Sequence, residues 1–281
     1  MPQAILDSHI HFWDPNHLSY PWLAGTPINN VYLPADLLQA AAQVDLQGIV
    51  FVQADCIDAQ GAAEAEWVAE LAQAEPRIRA IVAHAPLEQG EAVRPALEIL
   101  AQNKLVKGIR RLIQSEPLGF CTQPDFVRGV QILPEYDLRF DICIRHPQMA
   151  DAIELVRQCP QVTFVLDHFG KPGVKDNLMS PWAEQLVTLA QFPNVWCKIS
   201  GLATEADHSD WMREQLRPYI QHAVSTFGID RVFYGGDWPV STLAIDYQTW
   251  IDTINWATPE LSDTERNQLF VENAAAFYGI A

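Results

Sequence analysis

The sequence predicts an α/β protein, a (β/α)8 barrel built as one domain over residues 1–281. Three observations carry that expectation. Eight short apolar runs recur along the chain, each followed by a helical stretch, and strands that alternate with helices pair in parallel through helical crossovers. A length of 281 residues suits one closed barrel of eight such units. No Gly-x-Gly-x-x-Gly follows any strand, which disfavours the open doubly wound sheet.

Taken in order, Ile5, Leu6 and Ile10 give the first run the apolar weight of a buried strand. Alternation along a strand then places Asp7, His9 and His11 on one face, with the two imidazoles about 7 Å apart. Residues 13–33 form an aromatic, proline-marked excursion, too irregular for a helix and apolar enough to act as a lid. A helical pattern starts at Pro34. Strand-like runs at 48–54, 78–84 and 106–112 alternate with helical stretches at 62–74 and 92–102. The second half keeps the rhythm. Strands are expected at 138–145, 162–170, 195–202 and 231–239, with helices at 149–159, 183–192 and 211–227. A last helix opens at Ser262-Asp263-Thr264-Glu265, the spacing of a capping box.

Composition narrows the partners. Hydrophobic residues make up 49% and charged residues 19%, values of a globular enzyme and not of a disordered chain. Eighteen basic against 35 acidic residues leave a net charge of −17, which argues against nucleic acid and anionic membranes and for a small-molecule substrate. The five cysteines, Cys56, Cys121, Cys143, Cys159 and Cys197, are odd in number and widely spaced, as expected of reduced thiols in the cytoplasm. No signal-peptide pattern and no apolar run of eighteen residues is present, so a soluble protein, monomer or homodimer, is expected.

Barrel enzymes carry their chemistry at the C-terminal ends of the strands, and here those ends are polar. They hold His9 and His11 on the first strand, His84 on the third, Arg110 and Arg111 on the fourth, and Arg145 and His146 on the fifth. Asp167 and His168 end the sixth, Lys198 belongs to the seventh, and Asp237-Trp238-Pro239 closes the eighth. Gly235 and Gly236 permit close backbone approach just before Asp237, which places a carboxylate where it can take a proton from water.

His9-x-His11, His168, Asp237 and the closing Asn273-Ala274-Ala275-Ala276-Phe277-Tyr278 together resemble the amidohydrolase superfamily. His11-Phe12-Trp13-Asp14, Tyr20-Pro21-Trp22-Leu23, Gly108-Ile109-Arg110-Arg111-Leu112-Ile113-Gln114, Asp167-His168-Phe169-Gly170-Lys171-Pro172, Lys198-Ile199-Ser200-Gly201-Leu202 and Gly236-Asp237-Trp238-Pro239 are similar to its lactonase branch. The resemblance implies a distorted (β/α)8 TIM barrel with His9, His11, His168 and Asp237 at the reaction centre. It also implies one divalent metal, zinc foremost, or none. The carboxylated lysine of metal-rich members has no counterpart, since Lys107 starts its strand, and a binuclear site is not expected.

Lactone hydrolysis needs an activated water, a polarised carbonyl and a proton for the leaving oxygen. Asp237 is the expected general base. His9, His11 and His168 either bind the metal together with Asp237 or donate hydrogen bonds directly to the carbonyl oxygen. Arg110 or Arg111 offsets charge on the carbonyl oxygen; alternation sends them to opposite faces, and the sequence does not say which faces inward. Trp13, Trp22 and Trp238 are candidates to cover a sugar ring, and His84, Arg145 and Lys198 to bind its polar groups. The expected activity is hydrolysis of an aldonolactone. The alternatives are a pyrone-dicarboxylate or muconolactone substrate, a metal-dependent decarboxylase and a non-catalytic binder of sugar acids.

Overall fold

The computed structural model describes residues 2–280. Its eight strands are β1 (Ala4–Ile10), β2 (Asp45–Val52), β3 (Ile78–Ala83), β4 (Val106–Ile109), β5 (Arg139–Ile142), β6 (Phe164–Leu166), β7 (Val195–Ile199) and β8 (Val232–Tyr234). They pair in parallel in sequence order, and β8 returns to β1 through an Ile10–Trp238 bridge and an Asp237 N–H that donates to His9 O at 2.8 Å. The barrel predicted from the alternation is therefore the fold observed.

Helices α1 (Pro34–Ala40), α2 (Gly61–Ala74), α3 (Arg94–Gln102), α4 (Pro124–Ile132), α5 (Met149–Gln158), α6 (Trp182–Ala190), α7 (Arg213–Phe227) and α8 (Tyr247–Ala257) surround it. The helices at 124–132 and 247–257 complete the alternation at places where periodicity alone marks no bounds. The helices cover the outward strand residues, among them Ile49, Phe51, Ile109, Phe140 and Leu166, in one apolar core. Inward-facing Leu6, Val50, Ala80, Val165 and Phe233 form a second cluster with Phe277 and Tyr278, so α10 (Asn273–Tyr278) closes the barrel opposite its mouth. The capping box precedes α9 (Asp263–Asn267): Glu265 accepts the Ser262 N–H at 2.8 Å, and Ser262 Oγ accepts the Glu265 N–H at 3.3 Å.

Two differences from the sequence reading matter for the site. The strands stop earlier than predicted, β6 at Leu166 and β8 at Tyr234, because His168 (φ 52°) and Asp237 (φ 53°) adopt left-handed backbone that cannot continue a ladder. In addition, the β1–β2 register shifts between Asp7 and Ile10, a bulge that breaks strict alternation. Asp7 consequently does not share a face with His9. It turns toward α8, where Oδ2 accepts Tyr247 Oη–H at 2.7 Å and Oδ1 accepts the N–H groups of Gly236 and His9 at 2.8 and 3.0 Å. Burial pushes the Asp7 carboxyl up to about 7 against those three donors. Its role is to lock β1 to β8 behind the histidines.

Residues 13–33 pack over the β2 end rather than standing free: Trp13 pairs with Tyr32 as an antiparallel bridge, and Trp13, Leu18, Tyr20, Leu23 and Ile28 form a buried cluster with Ala54 and Cys56. All five cysteines are buried and free, and no helix among the described residues is long and apolar enough to cross a membrane.

Candidate active site

The bulge in β1 aims His9 into the barrel, and the chain beyond it aims His11 at the mouth. His11 Nδ1 lies 2.7 Å from Val52 O. A carbonyl only accepts, so that nitrogen carries the hydrogen and Nε2 presents a lone pair, 3.4 Å from Asp237 Oδ1. The other imidazoles converge on the same carboxylate oxygen, His9 Nε2 at 3.8 Å and His168 Nε2 at 4.0 Å. Burial holds all three rings below the ordinary histidine range, helped at His9 by Lys198 and at His168 by Lys171. They are neutral at pH 7.

His168 and Asp237 owe their positions to strained turns. Among the described residues, seven other than glycine have positive φ, and four of these, Asp55, His168, Lys171 and Asp237, line one cavity. Such strain persists only where neighbours over-determine it. Here the neighbours are visible: His168 Nδ1 meets Ser200 Oγ at 2.9 Å, and Gly201 presses so close that a Cβ there would lie 2.5 Å from His168 Nδ1 and 2.8 Å from Asp237 Oδ2. Only glycine fits at the end of β7.

Beneath His9 lies a closed layer of charge. Lys198 Nζ donates to Asp141 Oδ2 at 2.5 Å and pairs with Asp167 Oδ1 at 3.0 Å, while Tyr278 Oη–H donates to Asp141 Oδ2 at 2.8 Å. Arg110 donates to Gln53 O at 2.5 Å and meets Asp167 Oδ2 and His9 Nε2 at 3.4 and 3.2 Å. Burial works to raise the Asp167 carboxyl, but Lys198 and Arg110 together hold it below the usual range.

Above this layer opens a cavity of ≈ 230 Å³, lined by His11, His168, Asp237 and Arg110 and, from the loops, by Trp22, Asp55, Gln114, Ser115, Lys171 and Thr204. Of the two neighbouring arginines, Arg110 is the one that faces inward. Arg111 turns to Glu88 and Glu116 at 3.1 and 2.7 Å and does not line the cavity. Trp22 is the one candidate ring-binding tryptophan in the cavity wall; Trp13 is fully buried, and Trp238 packs against Phe12 and Tyr32. His84 lies by Asp58, Arg145 reaches Glu205, and Lys198 is sealed in the lower layer, so none of the three lines the cavity. Their strand-end positions are real, but each side chain is turned toward a carboxylate outside the cavity lining.

Asp55, Gln114, Lys171, Ser115 and Thr204 were missed. Gln114 and Lys171 lie inside the quoted motifs, which was their available signal, and Lys171 Nζ donates to Gln114 Oε1 at 2.5 Å. Asp55 has no such mark in the sequence.

His9, His168 and Asp237 offer two imidazole nitrogens and a carboxylate oxygen, all buried and within 4.8 Å of one another, a donor set that suits one divalent ion once Arg110 gives up its 3.2 Å contact with His9 Nε2. His11 touches that group through Asp237 Oδ1 at 3.4 Å and through the His9 ring, their centroids 4.9 Å apart. A second group, Cys143, Asp167 and His168, suits a cation poorly, because burial keeps the Cys143 thiol protonated and Asp167 is already paired with Lys198 and Arg110.

The profile of the Amidohydrolase family matches residues 6–280. The chain is 32% identical to an L-fucono-1,5-lactonase of Burkholderia multivorans over 98% of its own length and 96% of that protein. It is 29% identical to the L-fucono-1,5-lactonase of Burkholderia ambifaria, over 98% and 95%. A solved structure of an amidohydrolase from Burkholderia multivorans with bound zinc superimposes with a TM-score of 0.88 at 31% identity, covering 99% of this chain and 100% of that one.

Proposed function

Because the chain belongs to the Amidohydrolase family, we propose that it opens a sugar lactone to its acid by attack of water on the ring carbonyl. The observation that carries this reading is the Asp237 carboxylate in the cavity wall, with three imidazoles around one of its oxygens and no lysine or arginine paired to it among the described residues. Asp237 holds the attacking water, takes its proton and passes it to the leaving ring oxygen. Arg110, fixed by Gln53 O and Asp167, offers positive charge to the carbonyl oxygen; without an ion on its Nε2, His168, set by Ser200 and Gly201, donates to the same oxygen.

His9, His168 and Asp237 would hold one divalent ion, zinc by the chemistry of the donors. Bound there, the ion supplies polarisation of the lactone carbonyl. The support for a sugar ring over a dicarboxylate comes from the lining charges. Arg111 and Arg145 are paired away from the cavity, which leaves Arg110 and Lys171 balanced by Asp55 and Asp237. A neutral, hydroxyl-rich ring suits that balance; two carboxylates do not.

The test is acid release from purified protein against fucono-, rhamnono-, galactono- and arabinonolactones and pyrone-dicarboxylate, with and without chelation. The expected result is turnover of at least one sugar lactone, with kcat about 10³-fold lower or worse in Asp237→Asn. Turnover of pyrone-dicarboxylate alone would overturn the assignment.

A further inference from the structure

The β2 end of the cavity carries a carboxylate that hydrolysis does not use. Asp55 lines the cavity beside Trp22 and Ala54, yet its side-chain oxygens make no hydrogen bond and no ion pair among the described residues. Every other charged lining group is engaged. Arg110 is tied to Gln53 O and Asp167, Lys171 to Gln114, and Asp237 lies against the three histidines. Asp55 alone is left open to whatever enters.

Its placement is enforced. The residue has φ 60°, a conformation that an ordinary side chain adopts only under constraint. Gln53 Oε1 accepts the Asp55 N–H at 2.6 Å. One residue before it, Ala54 is clamped twice: the buried Glu64 of α2 accepts its N–H at 3.1 Å, and its carbonyl accepts Trp22 Nε1–H at 2.8 Å. The turn's own Gln53 and two side chains from other elements, Glu64 and Trp22, thus hold it so that the carboxylate faces the cavity. On the same lining, Lys171 and Ser115 offer donors.

We propose that Asp55 reads the ring hydroxyls of the substrate, its two oxygens accepting hydrogen bonds from two neighbouring hydroxyl groups while its charge turns away anionic rings. The inference rests on the sugar-lactone reading and makes Asp55 a substrate-binding residue that takes no part in the bond-breaking step. Hydrogen bonds to an ionised acceptor discriminate strongly against ligands that lack the donor, because the acceptor is then left unpaired.

The experiment uses the full chain and the variants Asp55→Asn and Asp55→Gly, both of which tolerate positive φ and spare the fold. Each is assayed on the sugar lactone that the wild type turns over best and on an unsubstituted lactone of the same ring size, as substrate or as competitive inhibitor. The expected result is a fall of about 10- to 100-fold in kcat/KM for the hydroxylated lactone, mostly in KM, with the unsubstituted lactone changed less than about twofold. Equal losses on both, or undiminished turnover of the hydroxylated lactone, would overturn the assignment of Asp55 and leave the sugar-lactonase reading standing. Absence of wild-type turnover on every hydroxylated lactone would overturn both.

Discussion

Two clusters of ionisable side chains lie one above the other in this barrel and obey opposite rules. The lower one, Lys198, Arg110, Asp141 and Asp167, balances two positive and two negative groups, and short contacts knit them together. The upper one, Asp237, Asp55 and the ring nitrogens of His11 and His168, faces the cavity with acceptors that no lysine or arginine satisfies. Lys198, Asp141 and Asp167 are fully buried, so any charge left unpaired there costs stability, while Arg110 spans the two clusters, paired to Asp167 below and lining the cavity above. The upper one touches solvent through the cavity, so open valences are tolerable and available to a ligand. Charge pairing, more than charge itself, separates scaffold from chemistry here.

The sharpest way to break this contrast is to remove a lower-layer cation. Lys198→Met leaves Asp141 and Asp167 short of a partner and is expected to destabilise the protein by about 3–5 kcal/mol in denaturant melts. The double variant Lys198→Met/Asp141→Leu should recover much of that loss. A single variant as stable as the wild type would show that the layer is not held by pairing.

Next comes the boundary between the clusters. Gly201→Ala places a methyl group inside contact distance of His168 and Asp237, so kcat should fall about 100-fold while the melting temperature moves by only a few degrees. A loss of stability without loss of rate would reverse the assignment of that glycine.

The smallest effect probes the wall of the upper cluster. Burial raises the Glu64 carboxyl to about 7 from 4.5, opposed by the Ala54 N–H. The native state therefore binds this proton more tightly than the unfolded state, and stability from this group declines as pH rises from about 4.5 to about 7. Glu64→Gln keeps the acceptor and loses the titration. Its stability relative to the wild type should accordingly rise by about 2 kcal/mol across that window in parallel melts. A pH-independent difference would place the titration elsewhere.

Much of the site was readable without coordinates. His9, His11, His168 and Asp237 stand at strand ends within local patterns, and Arg110 needed only a choice between two faces. Asp7, Lys198 and Asp55 were not readable in role. The β1 bulge that turns Asp7 away depends on register with β2, and Lys198 finds its place beside His9, 189 residues away in sequence.

The eight alternating strands and helices, and hence the order of the barrel, follow from the amino-acid sequence alone, because hydrophobic periodicity is a property of neighbours along the chain. The open or closed state of each charge was decided only by tertiary structure. Arg145 and His84 ended beside Glu205 and Asp58, Lys198 between two aspartates, and Asp55 against an open cavity. Coulombic partners are set by distance in space, which strand periodicity does not encode.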